Sequence, residues 1–148
     1  MEQKTLCFED LEIGRRSVSQ RRTMTEADIV SFAGLSGDFN PLHTDEEFAK
    51  KGIFGKRIAH GLLGLSISSG LPTNETPWLI LAFMSLDWKF TKPIFIGDTV
   101  ACVSEVKRKK ETGADRGIVM VERKLLNQRE EVVQEGTFTL LVGKRGTN

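Results

Sequence analysis

Apolar residues in the second half of the chain come in short runs separated by turn-forming residues. Residues 78–82, 84–91, 99–107, 117–126 and 132–142 are rich in Val, Ile, Leu, Phe and Thr, the side chains that favour a pleated, half-buried surface. Gly97-Asp98, residues 111–115 and residues 127–130 lie between these runs, so the pattern predicts consecutive antiparallel strands. Phe138, Leu140 and Val142 share one face of the last of them.

The first half follows a different period. Residues 6–14 form a short lead-in that ends at a Gly turn, and residues 17–23 alternate enough for a strand. Thr25 is placed to cap a helix whose first turn carries Glu26 and Asp28, and Ile29, Phe32 and Ala33 then repeat at helical spacing up to Gly34 and Gly37. Residues 45–51 predict a short charged helix with Phe48 and Ala49 turned inwards, and residues 52–57 a loop. Residues 60–71 contain no charge and are apolar or small on every side, which predicts a helix buried all round. Gly64 in its interior costs about 1 kcal/mol relative to Ala, so close packing is the expected compensation. Pro72 stops the helix soon after. One buried helix followed by antiparallel strands predicts an α+β fold with the sheet wrapped around that helix.

Composition narrows the function. The 148 residues are 39% hydrophobic and 28% charged, which suits one domain with a real core. With 21 basic and 20 acidic residues the net charge is +1, and no nucleic-acid or membrane partner is expected from that balance. Cys7 and Cys102 are isolated, without a CxxC spacing, and read as reduced thiols rather than a disulfide or metal framework. Residues 1–10 lack an apolar core of signal-peptide length, and no run approaches a membrane span. The expected setting is cytoplasmic.

The densest chemistry lies in Gly37-Asp38-Phe39-Asn40-Pro41-Leu42-His43. Gly37 is able to leave the helix with positive φ, and Pro41 fixes its own φ and pushes Asn40 towards extended geometry. Asp38 and His43 are thereby carried on a stiff segment, as acid–base work on one bound water requires. Asn40 is expected to orient this loop through its amide. A second stretch, Arg57-Ile58-Ala59-His60-Gly61-Leu62-Leu63, opens the buried helix, where free N–H groups and the helix dipole favour a developing negative charge. Gly61 offers that N–H without a side chain in the way. His60, at the helix start, reads as a structural donor rather than a catalyst.

These two stretches, with Phe90-Thr91-Lys92-Pro93-Ile94-Phe95-Ile96-Gly97-Asp98-Thr99, resemble the MaoC-like dehydratases, most closely the single-domain (R)-specific enoyl-CoA hydratases. The likeness runs from about residue 8 to residue 142, and three ordered motifs are far more specific than one. It implies a hot-dog fold, an antiparallel sheet around a long central helix, and a single domain over residues 1–148. It implies a homodimer whose sheets pair edge to edge, with the sites at the junction.

It further implies catalytic roles for Asp38 and His43, an oxyanion-binding backbone N–H at Gly61 and a supporting Ser69. The substrate implied is an acyl-CoA thioester, hydrated across its α,β double bond or dehydrated in reverse. Coenzyme A is then part of the substrate, and no separate cofactor or metal is expected. Lys56 and Arg57 are candidates for its phosphates, and Phe32, Phe39 and Phe54 for the acyl pocket. Residues 107–110 read instead as a solvated hairpin tip. Two alternatives stay open at this point: a hot-dog thioesterase, which would release free thiol, and a non-catalytic acyl-thioester-binding subunit.

Overall fold

A computed structural model describes residues 5–147; residues 1–4 and 148, part of the sequence reading above, lie outside it. Six strands form one sheet: β1 (Arg16–Val18), β2 (Arg22–Thr23), β3 (Ile80–Phe90), β4 (Thr99–Glu111), β5 (Arg116–Leu126) and β6 (Val132–Gly143). The order is β1-β4-β5-β6-β3, with β2 also on β4, and every named pair is antiparallel. Among the described residues, a 3-10 turn at Phe8–Asp10 and four α-helices precede β3: α1 (Glu26–Ser36), α2 (Pro41–Thr44), α3 (Glu46–Lys50) and α4 (Gly61–Gly70). The sheet wraps α4 as the strand runs predict, and this is the hot-dog arrangement that the family resemblance implies.

Local chemistry explains these elements. Thr25 and Asp28 complete a reciprocal capping box at the start of α1, a feature worth about 1 kcal/mol. Asp28 is held below the usual carboxylate range: burial alone would raise it, but hydrogen bonds from Thr25 and the charge of Arg22 outweigh that. At the other end Gly37 takes φ 77° and its N–H donates to the Ala33 carbonyl, so the chain leaves the helix through the left-handed region that glycine tolerates. Pro41 opens α2 behind an Asn40 cap. The 38–43 segment, expected as a loop throughout, is part loop and part helical turn, because Pro41 behind the Asn40 cap starts a helix that carries His43.

Two core clusters fill the concave face. One joins Ile29, Leu63, Ile67 and Leu71 to Val100, Cys102, Leu125 and Val133. The other joins Phe8 and Leu11 to Val106, Val119, Val121, Phe138, Leu140 and Val142.

Four further expectations need correction. α4 is buried on one face only, through Leu63, Gly64, Ile67 and Ser68, while Leu62 is 59% exposed with Ser66 and Ser69 beside it. Small side chains on both faces hid that asymmetry from the sequence. Phe48 is 53% exposed whereas Ala49 is buried, because one residue is a 100° rotation and this five-residue helix packs along a single line. The predicted strand at 17–23 is interrupted, since Ser19 and Gln20 turn aside to pair with Thr73 and Pro72 beyond α4. Residues 78–82 and 84–91 are not two strands; residues 80–90 form one strand with irregularities between Ile80 and Ala82 and between Phe83 and Ser85. No helix among the described residues is long and apolar enough to cross a membrane.

Candidate active site

The three motif segments lock together through backbone hydrogen bonds. The Ala59 N–H donates to the Ile94 carbonyl (2.8 Å), and the Ile58 N–H to the Leu42 carbonyl (3.4 Å). Residues 58–59 thus run between the 38–43 segment and the 90–99 crossover that joins β3 to β4. Asp98 is the pin of that crossover: its carboxylate accepts from the Phe95 N–H and the Gln128 amide, and its carbonyl from the Met24 N–H. The third motif frames the site rather than entering it.

The 38–43 segment is braced from within. Asp38 Oδ1 accepts from the Asn40 N–H (3.1 Å), Asn40 Oδ1 from the Leu42 N–H (3.0 Å), and Ser36 Oγ from the Asp38 N–H (3.1 Å). Asn40 thus caps α2 through its side-chain carbonyl.

His43 Nδ1 lies 2.7 Å from the Ile58 carbonyl. A carbonyl only accepts, so Nδ1 carries the proton and Nε2 of the neutral ring presents a lone pair. That Nε2 stands 3.9 Å from Asp38 Oδ2, too far for a direct hydrogen bond and suited to a water held between them. The His43 side chain is nearly enclosed while that of Asp38 is half exposed, so the pair sits at an opening with its base side protected.

His60, only 3% exposed, lies behind them. Its Nε2–H donates to the Asp38 carbonyl at 2.9 Å, and its ring stacks on His43 with centroids 3.8 Å apart. Phe32 also packs against His60, with ring centroids 5.0 Å apart. The structural-donor reading of His60 agrees with this geometry. Its Nδ1 is buried without a protein partner. Asp38, His43 and His60 offer ligand atoms within 4.8 Å of one another, the one such group among the described residues. Stacked rings aim their lone pairs side by side rather than at one point, which fits proton handling better than a closed tetrahedral shell.

Gly61 follows directly as the first residue of α4, whose N-terminus has no side-chain cap; the Leu63 N–H already donates to the His60 carbonyl (3.1 Å), which leaves the amides of Gly61 and Leu62 at the helix start for a ligand. An added Cβ at Gly61 would stand 2.9 Å from the Phe90 ring. The glycine thus serves packing as well as access. Gln134, 2% exposed, is a residue the sequence reading missed: its amide donates to the Gly61 carbonyl (3.0 Å) and its oxygen accepts from the Trp88 indole (3.0 Å). The signal available was a polar residue at an inward position of a late strand. A cavity of about 290 Å³ beside Gly61 is lined by Phe54, Phe90, Lys92 and Gln134 among others.

The remaining candidates are dispersed. Arg57 is bound to Glu26 and Glu46, each at 2.7 Å, and its guanidinium is held still more firmly protonated by Glu46 first and Glu26 second. It ties α1 to α3. Lys56 lies 4.2 Å above the Phe95 ring and keeps its ammonium free of carboxylates among the described residues. Phe39 is 61% exposed, and Phe32 packs on His60. Ser69 donates to the Ser66 carbonyl (2.7 Å) on the exposed face of α4. It lies eight residues, or about 12 Å of helix rise, from Gly61.

Comparison with known proteins bears on the family. A family model described as MaoC like domain matches residues 10–128. The (R)-specific enoyl-CoA hydratase of Rhodospirillum rubrum is 36% identical over 145 residues, covering 94% of this chain and 93% of that protein. The 3-hydroxybutyryl-CoA dehydratase of Methylorubrum extorquens is 37% identical over 105 residues, 71% of this chain and 66% of the relative. Among solved structures, an Archaeoglobus protein described as monoamine oxidase regulatory protein superposes with TM-score 0.89 at 41% identity, covering 95% of each chain. The chain belongs to the MaoC-like family of hydro-lyases.

Proposed function

We propose that this chain adds water to trans-2-enoyl-CoA esters to give (R)-3-hydroxyacyl-CoA, and runs the reverse dehydration. One observation carries the reading: the lone pair of His43 Nε2 faces Asp38 Oδ2 across 3.9 Å, and His60, which contacts both residues, directly precedes the uncapped start of α4. A water seated between the two acceptors donates a hydrogen to each. As its oxygen bonds to Cβ, His43 Nε2 takes one proton, and the neighbouring Asp38 carboxylate stabilises the imidazolium. Negative charge passes through Cα to the thioester oxygen, where the Gly61 N–H receives it. The imidazolium then returns its proton to Cα, on the face from which the water came. The product carries one added water, and both side chains end as they began.

The acyl-CoA esters carried by the named relatives support the choice of substrate. Of the two cations, Lys56 is the one left to receive coenzyme A phosphates in this reading, since Arg57 is already paired. A homodimer is part of the reading. β3 is an edge strand with Ile80, Leu81, Phe83, Met84, Leu86 and Phe90 all exposed, and an apolar edge of that length favours pairing with a second copy.

The test is direct. The purified chain is given crotonyl-CoA and longer trans-2-enoyl-CoA esters, loss of enoyl-thioester absorbance is followed, and the configuration of the product is determined. Formation of the (R)-alcohol is expected. Release of free thiol would instead assign a thioesterase, and binding without turnover a non-catalytic subunit.

A further inference from the structure

An arginine faces inwards from the middle of the sheet. β5 alternates Val119, Val121, Arg123 and Leu125 on its concave face, and the other three are buried apolar residues. The strand registers align Arg123 with Ser104 of β4 on one side and Gly136 of β6 on the other, and Ser104 in turn with Ser17 of β1. Ser17, Ser104, Arg123 and Gly136 therefore make one polar or small rung across four strands. This rung falls between the two core clusters: Cys102 and Leu125 belong to one, Val106, Val121 and Phe138 to the other.

The rung opens onto a cavity of about 340 Å³, within the ~300–1,000 Å³ of small-molecule sites. Trp78, Phe138, Leu140 and Leu71 supply apolar wall, and Arg123, Ser17, Ser104, Thr73 and Thr76 supply polar groups. Arg123 Nε donates to Ser104 Oγ (3.0 Å), and its guanidinium carbon lies 4.9 Å from the Phe138 ring centre. No carboxylate of the described residues pairs with it. Glu75, the acid on the same wall, is turned to Arg15 at 3.5 Å.

A cation on the core side of a sheet carries a desolvation cost that a hydroxyl and a ring face offset only in part. Its planar fork matches a carboxylate with two parallel hydrogen bonds. We propose that this cavity binds a carboxylate carried on an apolar stem, the carboxylate on Arg123 and the stem against Trp78, Phe138 and Leu140. Two molecules offer that chemistry: an acyl thioester whose tail ends in a carboxylate, which rests on the hydratase reading, and a separate free fatty carboxylate, which does not.

Calorimetric titration of the full chain with octanoate, and with octan-1-ol as its uncharged analogue, tests the shared chemistry without any turnover. Octanoate is expected to bind ~10–100-fold more tightly than the alcohol, the worth of a charge-assisted pair, and Arg123→Gln to abolish that preference. Trp78 in the cavity wall gives a fluorescence readout of the same event. Absence of octanoate binding, equal binding of acid and alcohol by the unaltered chain, or a preference retained in Arg123→Gln would each overturn the proposal. The comparison of acid with alcohol needs no variant to fold.

The source is decided by repeating the octanoate titration with saturating octanoyl-CoA, which has no double bond to hydrate. Displacement assigns the cavity to the acyl tail, and the preference of kcat/KM for an ω-carboxylated enoyl-CoA over the plain ester then falls in Arg123→Gln. Simultaneous binding assigns it to a separate carboxylate. A chain inactive on every enoyl-CoA that still prefers octanoate to octan-1-ol would sink the hydratase reading and leave the carboxylate site standing.

Discussion

The Nε2–H of His60 donates to the main-chain carbonyl of Asp38 at 2.9 Å, across 22 positions of sequence. That bond fastens the segment bearing Asp38 to the residue that precedes the oxyanion helix. Because the His60 ring also stacks on His43, one buried side chain sets the spacing of both proposed catalytic groups. His60→Phe keeps the stack and removes the donor, leaving the Asp38 carbonyl unpaired. We expect kcat to fall by about ten- to a hundredfold, as small misplacements of reacting groups do. His60→Gln, whose amide is able to donate, should recover part of the loss. Unchanged kcat in His60→Phe would remove His60 from the positioning of the pair.

Asp38→Asn and His43→Ala should each lower kcat by about 10²–10⁴, the usual worth of a general acid or base. The double variant should lose much less than the product of the two, since both act on one water. Steady-state kinetics on crotonyl-CoA checks this, and near-normal turnover in either single variant would exclude the site.

The two helix glycines should respond differently. A methyl at Gly61 meets the Phe90 ring, an exposed side chain free to swing, whereas one at Gly64 meets Gln134 and Ile94 in the packed interior. Gly61→Val should therefore cut kcat/KM by ~10²–10³, comparable to losing an oxyanion donor, with a small change in Tm. Gly64→Ala should cost about 1–3 kcal/mol by overpacking. Adding Phe90→Ala to Gly61→Val removes the steric conflict inside the protein. If activity then returns in full, the glycine serves Phe90 and not the thioester.

Lys56 and Arg57 are adjacent but should behave as different kinds of residue. Arg57→Met breaks two ion pairs that bridge α1 and α3, and should lower stability by about 1–2 kcal/mol, between exposed pairs and charge-assisted hydrogen bonds. Lys56→Ala should leave Tm unchanged and raise KM for enoyl-CoA about fivefold, an effect of roughly 1 kcal/mol that fades with added salt. Thermal melts and the salt dependence of KM separate the two, and a KM effect of Arg57→Met larger than that of Lys56→Ala would reverse the assignment.

Sedimentation at micromolar concentration should give a dimer. Leu81→Lys combined with Met84→Lys places like charges on the exposed edge of β3, the device by which edge strands resist pairing. The altered chain should sediment as a monomer. A native chain that is monomeric and fully active would contradict the proposed edge-to-edge pairing.

The sequence by itself determined the parts whose physics is local. The Thr25 cap of α1 and the αL exit at Gly37 follow from residues within four positions of one another, so a stiff carrier of Asp38 and His43 was legible, although the Pro41–Thr44 turn within it reads as loop from the sequence. Strands β4, β5 and β6 were legible too, because alternation and turn residues act over a few positions. Only tertiary structure decided what depends on partners far along the chain. Arg57 is as basic as Lys56 in sequence, yet Glu26 and Glu46 claim it.

The tautomer of His43 is set by the Ile58 carbonyl, 15 residues away. Gln134, 73 residues from Gly61, holds the helix start. Arg123 reads as one more charge in the run Glu122-Arg123-Lys124, and only the register of four strands turns it towards the core. A period of two along a strand says which residues share a face, but packing chooses which face is covered. That choice is made by long-range contacts, and in this protein it separates the framework of the site from the groups that work in it.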